Sequence, residues 1–204
     1  MQFKWILSAA MFAILFCAFS ASAASADTLK TAALEIGDPA PIFNGPDETG
    51  KLWQSSDIVG KEYLVVYFYP AAMSSGCTRQ ACAYRDDMDQ LTRLDVVVVG
   101  ISGDEPAGIK VFKEVHQLNF PLLSDPEGRI ARQFGVPTGS GGQFKTTVDD
   151  QEVTLSRGVT AQRWTFVIGL DGRIIYKDTD VDAANDSGTV IRFIESLSDS
   201  QHND

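Results

Sequence analysis

The chain has 204 residues, with 17 lysines and arginines against 27 aspartates and glutamates, two histidines and three cysteines, for a formal charge of −10 at pH 7. Such a balance excludes the basic patches by which proteins select nucleic acid or anionic membrane surfaces. Small neutral substrates remain open to it.

The first 26 residues read as a cleaved secretory signal. Lys4 precedes an apolar run from Trp5 to Phe19, then come small residues with A-x-A sites at Ala21-Ser22-Ala23 and Ala24-Ser25-Ala26. The run falls short of the ~20 residues a bilayer span needs, which argues against an uncleaved anchor. Cys17 follows Phe16, where a lipoprotein signal wants a small residue, so neither lipid attachment nor stable membrane association after cleavage is expected. Cleavage removes Cys17 and, among the charged residues, only Lys4, which takes the net charge to about −11. The protein is expected in the periplasm or outside the cell, where paired thiols are oxidised unless a reductant is supplied. Residues 27–35 form a flexible lead-in and residues 36–200 a single domain, large enough for a sizeable core.

"APIFNGPDETGKLWQ" holds the turn Pro46-Asp47-Glu48-Thr49-Gly50 between apolar runs and predicts a hairpin, and Ser55 to Val59 one helical turn. Glu62 to Pro70 and Leu94 to Ser102 are unbroken apolar runs rich in β-branched and aromatic residues, the pattern of central strands buried on both faces. Between them Ala81, Tyr84, Met88 and Leu91 recur at helical spacing, predicting one helix over Cys77 to Leu94 and a parallel β-α-β unit. Asp104 is placed to cap a second helix running to Leu118, whose stripe is Val111, Phe112, Val115 and Leu118. "FPLLSD" reads as a strand end and "PEGRIARQF" as a helix stopped by Gly135. "RWTFVIGLDGRIIYKD" reads as a hairpin turning at Asp171-Gly172, and about Ser187 to Leu197 as the last helix. The sum is an α/β fold: a central mixed β-sheet covered by helices on both sides, with an N-terminal β-hairpin.

Cys77 and Cys82 are the only thiols of the expected mature chain. A structural disulfide is the plain reading, and helix geometry opposes it. Five residues along one helix put the Cα atoms roughly 8.6 Å apart and about 140° around the axis, whereas a disulfide needs them within about 6.8 Å. Bond and intact helix exclude each other, and a loop of six residues constrains the unfolded chain little. A switch between two states fits better. Cys77 follows a strand, a proline and a Ser/Gly loop, which sets it at a helix start, where unpaired N–H groups and the dipole favour a thiolate. Ser74, Ser75 and the loop amides can hydrogen-bond a small oxygen-rich substrate, and Cys82 is positioned to act as resolving thiol.

At these residues the sequence resembles the peroxiredoxins of the AhpC/TSA superfamily, in the branch called bacterioferritin comigratory protein or peroxiredoxin Q. Pro70, Ser74 and Cys77 match the family's P-x-x-x-(T/S)-x-x-C, and "CTRQACAYRD" matches the branch's C-T-x-x-A-C-x-x-R-D with Cys82 in the resolving place. "RWTFVIGLDG" supplies Arg163 in an R-x-T-F pattern, and the likeness runs from about Ile36 to Lys177. Ser74 stands where threonine is usual, Ser75 replaces a proline common in the branch, and Gly169 takes a place often held by aspartate. Pro137 to Gln162 matches least and reads as a glycine-rich loop and hairpin edging the site.

The resemblance implies a thioredoxin-like fold and a thiol peroxidase. Cys77 is then the peroxidatic thiol and Cys82 the resolving thiol. Arg163, Ser74 and the Cys77 amide stabilise charge, and Pro70 shapes the pocket. The implied partners are a peroxide and a thioredoxin-like reductant, with no metal or organic cofactor required, in a monomer or homodimer.

Each residue has a plainer role beside this one. Pro70 can merely end a strand, Ser74 or Ser75 cap a helix, and Arg163, Arg79 and Arg85 be solvated or ion-paired. Trp53 and Trp164 read as core. A cysteine hydrolase needs a histidine beside its nucleophile, and only His116, in an amphipathic helix, and His202, in the tail, are present. A disulfide reductase of thioredoxin type normally shows C-x-x-C, which is absent. An exported binding or thiol-disulfide exchange domain with a non-peroxidatic pair is the remaining alternative.

Overall fold

In the computed structural model, residues 33–201 are described. The expected secretory signal and most of the lead-in lie outside them. The hairpin forms between β1 (Asn44–Pro46) and β2 (Leu52–Gln54), pairing Gly45 with Trp53. Its turn is held by Asp47, whose Oδ1 accepts the amides of Thr49 (2.8 Å) and Lys51 (3.0 Å). A 3-10 turn at Ser55–Asp57 follows.

The first apolar run becomes β3 (Tyr63–Phe68) and the second β4 (Val96–Ser102), paired in parallel with Val66 opposite Val99. β5 (Leu122–Ser124) extends the parallel side, and β8 (Trp164–Ile168) and β9 (Ile174–Asp178) the antiparallel side, in the order β5-β4-β3-β8-β9. Side chains alternate across β3, so its two sets feed two cores. Val65, Tyr67 and Tyr69 face Cys77, Ala81, Tyr84, Ile109, Phe112 and Ile191. Leu64, Val66 and Phe68 face Phe43, Ile130, Phe134 and Phe166. The first layer is built by α1 (Ser75–Asp86), α2 (Met88–Arg93), α3 (Pro106–His116) and α5 (Asp186–Gln201). Opposite them the cover is thinner, α4 (Arg129–Gln133) and the β1–β2 hairpin.

Three elements differ from expectation. The helix expected from Cys77 to Leu94 is broken at Asp87 (φ −90°, ψ 2°). There the Asp87 carboxylate accepts a 2.7 Å bond from Ser187 Oγ of α5, a tertiary tie that helical periodicity does not contain. α3 is capped at Glu105 rather than Asp104 and ends at Gln117, whose left-handed backbone (φ 51°) stops it before Leu118. Asp104 instead turns inward, accepting from Ala72 N (2.8 Å) and Ser102 Oγ (2.9 Å). Its acceptor oxygen is already committed to the loop ahead of α1.

The poorly matching segment forms the expected hairpin, but its glycines lie within the strands rather than in a separate loop. β6 (Thr138–Val148) and β7 (Gln151–Ala161) form one long antiparallel ribbon. It reverses at Asp149 and Asp150, both with positive φ (48° and 61°), as a two-residue type I′ turn requires. The ribbon docks through glycines. Gly158 N donates to Gly103 O (3.0 Å), Glu105 N to Ser156 O (2.9 Å), and Leu155 packs over Gly108.

A Cβ on Gly103 would stand 2.1 Å from Val159 O. Gly103→Ala is therefore expected to lift the ribbon and cost about 1–3 kcal/mol, the range for forced overpacking. Urea unfolding checks the cost, and hydrogen exchange should show faster exchange in β6–β7 before β3; unchanged stability would mean that the ribbon is not seated at Gly103.

Candidate active site

β3 ends where its ladder must end. Tyr69 N still donates to Ile101 O (3.0 Å), but Pro70 has no N–H to continue the pairing. The chain then turns through Ala71, Ala72 and Met73, the last at φ 64°, and enters α1 with Ser74 as N-cap. The Ser74 hydroxyl makes no capping bond and donates to Ala71 O at 2.9 Å. Helical bonding begins with Thr78 N to Ser74 O (2.8 Å), so the amides of Ser75, Gly76 and Cys77 are the orphan donors of the helix start.

Cys77 lies in this first turn and is 1 % exposed. Arg163, in the short link between β7 and β8, sends Nη2 to its Sγ at 3.3 Å. The register of β8 on β3 explains the meeting. Trp164 pairs with Phe68, which sets Arg163 beside the end of β3, where α1 starts. Gly76 leaves the room, since a Cβ there would stand 3.2 Å from Arg163 Nη2.

Cys77 and Arg163 are thus brought into contact. Ser74 stands three residues ahead of the sulfur with its proton turned to Ala71 O, and Pro70 sits half-buried at the end of β3. Cys82 is on the same helix, half-buried, and both thiols are free. On a continuous helix their Cα atoms lie roughly 8.6 Å apart. Arg85 lies against Cys82, pairs with Asp86 (2.7 Å) and donates to His116 O (2.6 Å).

Sequence reasoning missed the shell behind Arg163. Its Nη1 donates to Gln80 Oε1, and Gln80 Nε2 donates to Asp186 Oδ2 at 2.7 Å. The same carboxylate oxygen accepts from Tyr84 OH and Thr165 Oγ1, each at 2.9 Å. Gln80 had a sequence signal, a polar side chain on the buried stripe Cys77, Gln80, Ala81 and Tyr84. Asp186 had none, because its donors come from α1 and β8, far away in sequence. Burial holds the hydroxyls of Tyr67, Tyr69 and Tyr84 well above their ordinary pKa, so this shell is lined by neutral phenols.

Among the described residues no group of three or more histidines, cysteines, aspartates or glutamates is placed to hold a metal ion. A cavity of about 280 Å³ lined by Pro46, Glu105, Pro106, Asp125, Glu127 and Arg129 shares no residue with the Cys77 site. The chemistry available is that of a shielded sulfur with a guanidinium beside it and free amides at its helix start, a setting in which a negatively charged sulfur or oxygen is stabilised.

Comparison with known proteins places this geometry. Residues 36–177 match the model of the AhpC/TSA family. Over 162 residues the chain is 39 % identical to peroxiredoxin Bcp of Escherichia coli strain K12, covering 79 % of this chain and 96 % of the relative. The chain belongs to the AhpC/TSA family, in its Bcp and peroxiredoxin Q branch. It is accordingly a peroxidase oxidoreductase of the peroxiredoxin type. Chloroplastic peroxiredoxin Q of Populus jackii is 41 % identical over 116 residues, 57 % of this chain and 54 % of that one. The crystal structure of peroxidoxin BcpB from Mycobacterium tuberculosis superposes with a TM-score of 0.67 at 29 % identity, covering 80 % of this chain and 98 % of that one. A Xanthomonas campestris bacterioferritin comigratory protein, studied for alkyl peroxide reduction, shares the fold at TM-score 0.63 and 21 % identity, covering 81 % of this chain and 98 % of that one. The mixed sheet between helices is thus the thioredoxin-like sheet of these peroxiredoxins, as expected.

Burial pushes the Asp186 carboxyl above its ordinary value of 3.8, against the lowering pull of Gln80, Thr165 and Tyr84. The folded protein then keeps a proton that the unfolded chain has released. This group's contribution to stability is full below pH 3.8 and is lost as the pH rises through the raised folded value. Asp186→Asn does not titrate, so the stability advantage of the natural protein over that variant is expected to shrink from about pH 4 toward neutrality. Urea unfolding of both proteins across that range checks the sign, and an advantage that grows with pH would mean that the three donors outweigh burial.

Proposed function

We propose that this peroxiredoxin reduces hydrogen peroxide and organic hydroperoxides through Cys77, with Cys82 as resolving thiol and a thioredoxin-like dithiol as final reductant. The observation that carries the reading is the 3.3 Å contact from Arg163 Nη2 to Cys77 Sγ at the first turn of α1. The Cys77 thiolate attacks the terminal oxygen of the hydroperoxide in line with the O–O bond. A sulfur–oxygen bond forms, the O–O bond breaks, sulfur loses two electrons, and the departing oxygen takes a proton and leaves as water or an alcohol. Charge develops on the separating oxygens, where the Arg163 guanidinium and the Cys77 amide stabilise it. Ser74 is assigned to the same oxygens, a role that requires its hydroxyl to release Ala71 O, and Pro70 shields the pocket.

The second step needs α1 to loosen. On the intact helix Cys82 is beyond the roughly 6.8 Å between Cα atoms at which a disulfide forms. Once the first turns unwind, the Cys82 thiol condenses with the sulfenic acid, releasing water and forming the disulfide, which the external dithiol reduces by exchange. We assign this cycle to an exported protein, whose residues 36–200 act as one domain after removal of the signal within residues 1–26.

Cys77→Ser is expected to abolish peroxide consumption with a dithiol reductant. Arg163→Met should lower the second-order rate constant about 10²–10³-fold, the loss seen when a transition-state donor is removed. Cys82→Ser should reduce one equivalent of peroxide and stop with a single oxygen on Cys77. Mass spectrometry after one equivalent of peroxide decides the matter: a Cys77–Cys82 disulfide formed through that oxygen adduct is expected, and a thiol pair that stays unchanged would overturn the proposal.

A further inference from the structure

We infer that Asp186, in the first turn of α5, is a positioning residue for the peroxide site: it fixes the orientation of Gln80, and Gln80 fixes the guanidinium that Arg163 lends to Cys77. The inference rests on the proposed role of Cys77, and extends it to a residue that touches neither sulfur nor substrate.

The argument starts from the two ends of an amide. Gln80 offers a donor at Nε2 and an acceptor at Oε1, and its side chain is wholly buried. Asp186 Oδ2 takes the donor at 2.7 Å, which leaves Oε1 facing Arg163 Nη1. Flipping the amide would set two N–H donors head to head at Arg163 and two acceptors head to head at Asp186. Both bonds would be lost at once inside the core, where an unmet polar group costs about 1–3 kcal/mol. Arg163 is thereby held by its Nη1, and its other arm, Nη2, is aimed at Cys77 Sγ.

Asp186 is itself fixed from two elements. Tyr84 of α1 and Thr165 of β8 donate to the same oxygen as Gln80, and the residue is 2 % exposed. Tyr67 of β3 and Tyr176 and Asp178 of β9 also face it. No lysine or arginine pairs with Asp186 among the described residues, so the guanidinium is reached through the amide alone. Its second oxygen, Oδ1, is buried without a hydrogen-bond partner. A carboxylate kept in such a place at that cost needs a reason, and three donors steered onto one oxygen supply it.

The test is made on the full chain, without peroxide, by mass-resolved alkylation of Cys77 with iodoacetamide as a function of pH. Asp186→Ala should displace the alkylation profile to higher pH. Its peroxide rate constant should also fall about 10–100-fold, the scale of a slightly misplaced reacting group. Asp186→Asn, which keeps one acceptor oxygen for Gln80, should be displaced less. Gln80→Leu should reproduce the Asp186→Ala profile, and adding Asp186→Ala to it should change nothing further, as required of two residues acting in series. A folded Asp186→Ala protein with the natural profile overturns the inference, and so does full additivity in the double variant. Should Asp186→Ala fail to fold, the cycle is run with Asp186→Asn: a displacement that vanishes in the Gln80→Leu background supports the inference, and an equal displacement in both backgrounds overturns it. Natural protein that alkylates normally yet consumes no peroxide would instead sink the proposed function.

Discussion

One contact organises this molecule, the guanidinium of Arg163 against the sulfur of Cys77. The cysteine is sealed beneath the first turn of α1, and the arginine lies half-buried between a ribbon and a sheet. A cation in that position is costly unless something negative meets it, and a sulfur can carry charge there only if something positive does. The Cys77 sulfur and the Gln80 amide oxygen are what meet the guanidinium there.

The fold makes this meeting a matter of register. β3, the central strand, carries the chain to one end of the sheet, Pro70 stops it, and the loop held by Asp104 at Ala72 N leads into α1. β8 arrives beside β3 in the opposite sense, so its first residues lie where β3 ends. A one-residue slip of β8 would turn its buried residues to the other face and carry Arg163 out of reach.

Much of this was legible in the residues. The unbroken apolar runs read correctly as β3 and β4, and the Asp171-Gly172 turn correctly separated β8 from β9. Three features that did not read through share a cause. The bend at Asp87 answers to Ser187, the inward turn of Asp104 to Ala72, and the orientation of Gln80 to Asp186. In each case a polar side chain takes a partner far off in sequence over a local role. The β6–β7 ribbon was legible as a hairpin, but its glycines were read as a loop for a different reason. Its glycines suggest looseness, and only in three dimensions do they prove to be places where two backbones pass too close for a side chain.

The unequal exposure of the two sulfurs along α1 sets who can speak to each. Cys77 is 1 % exposed, so no protein surface can press against its sulfur while the helix stands. Cys82 is half-buried, the more open residue of the two. In the proposed cycle the dithiol acts only after the oxygen taken from the peroxide has left as water and Cys82 is joined to Cys77, so the more open residue of the pair is the one that offers it a first contact.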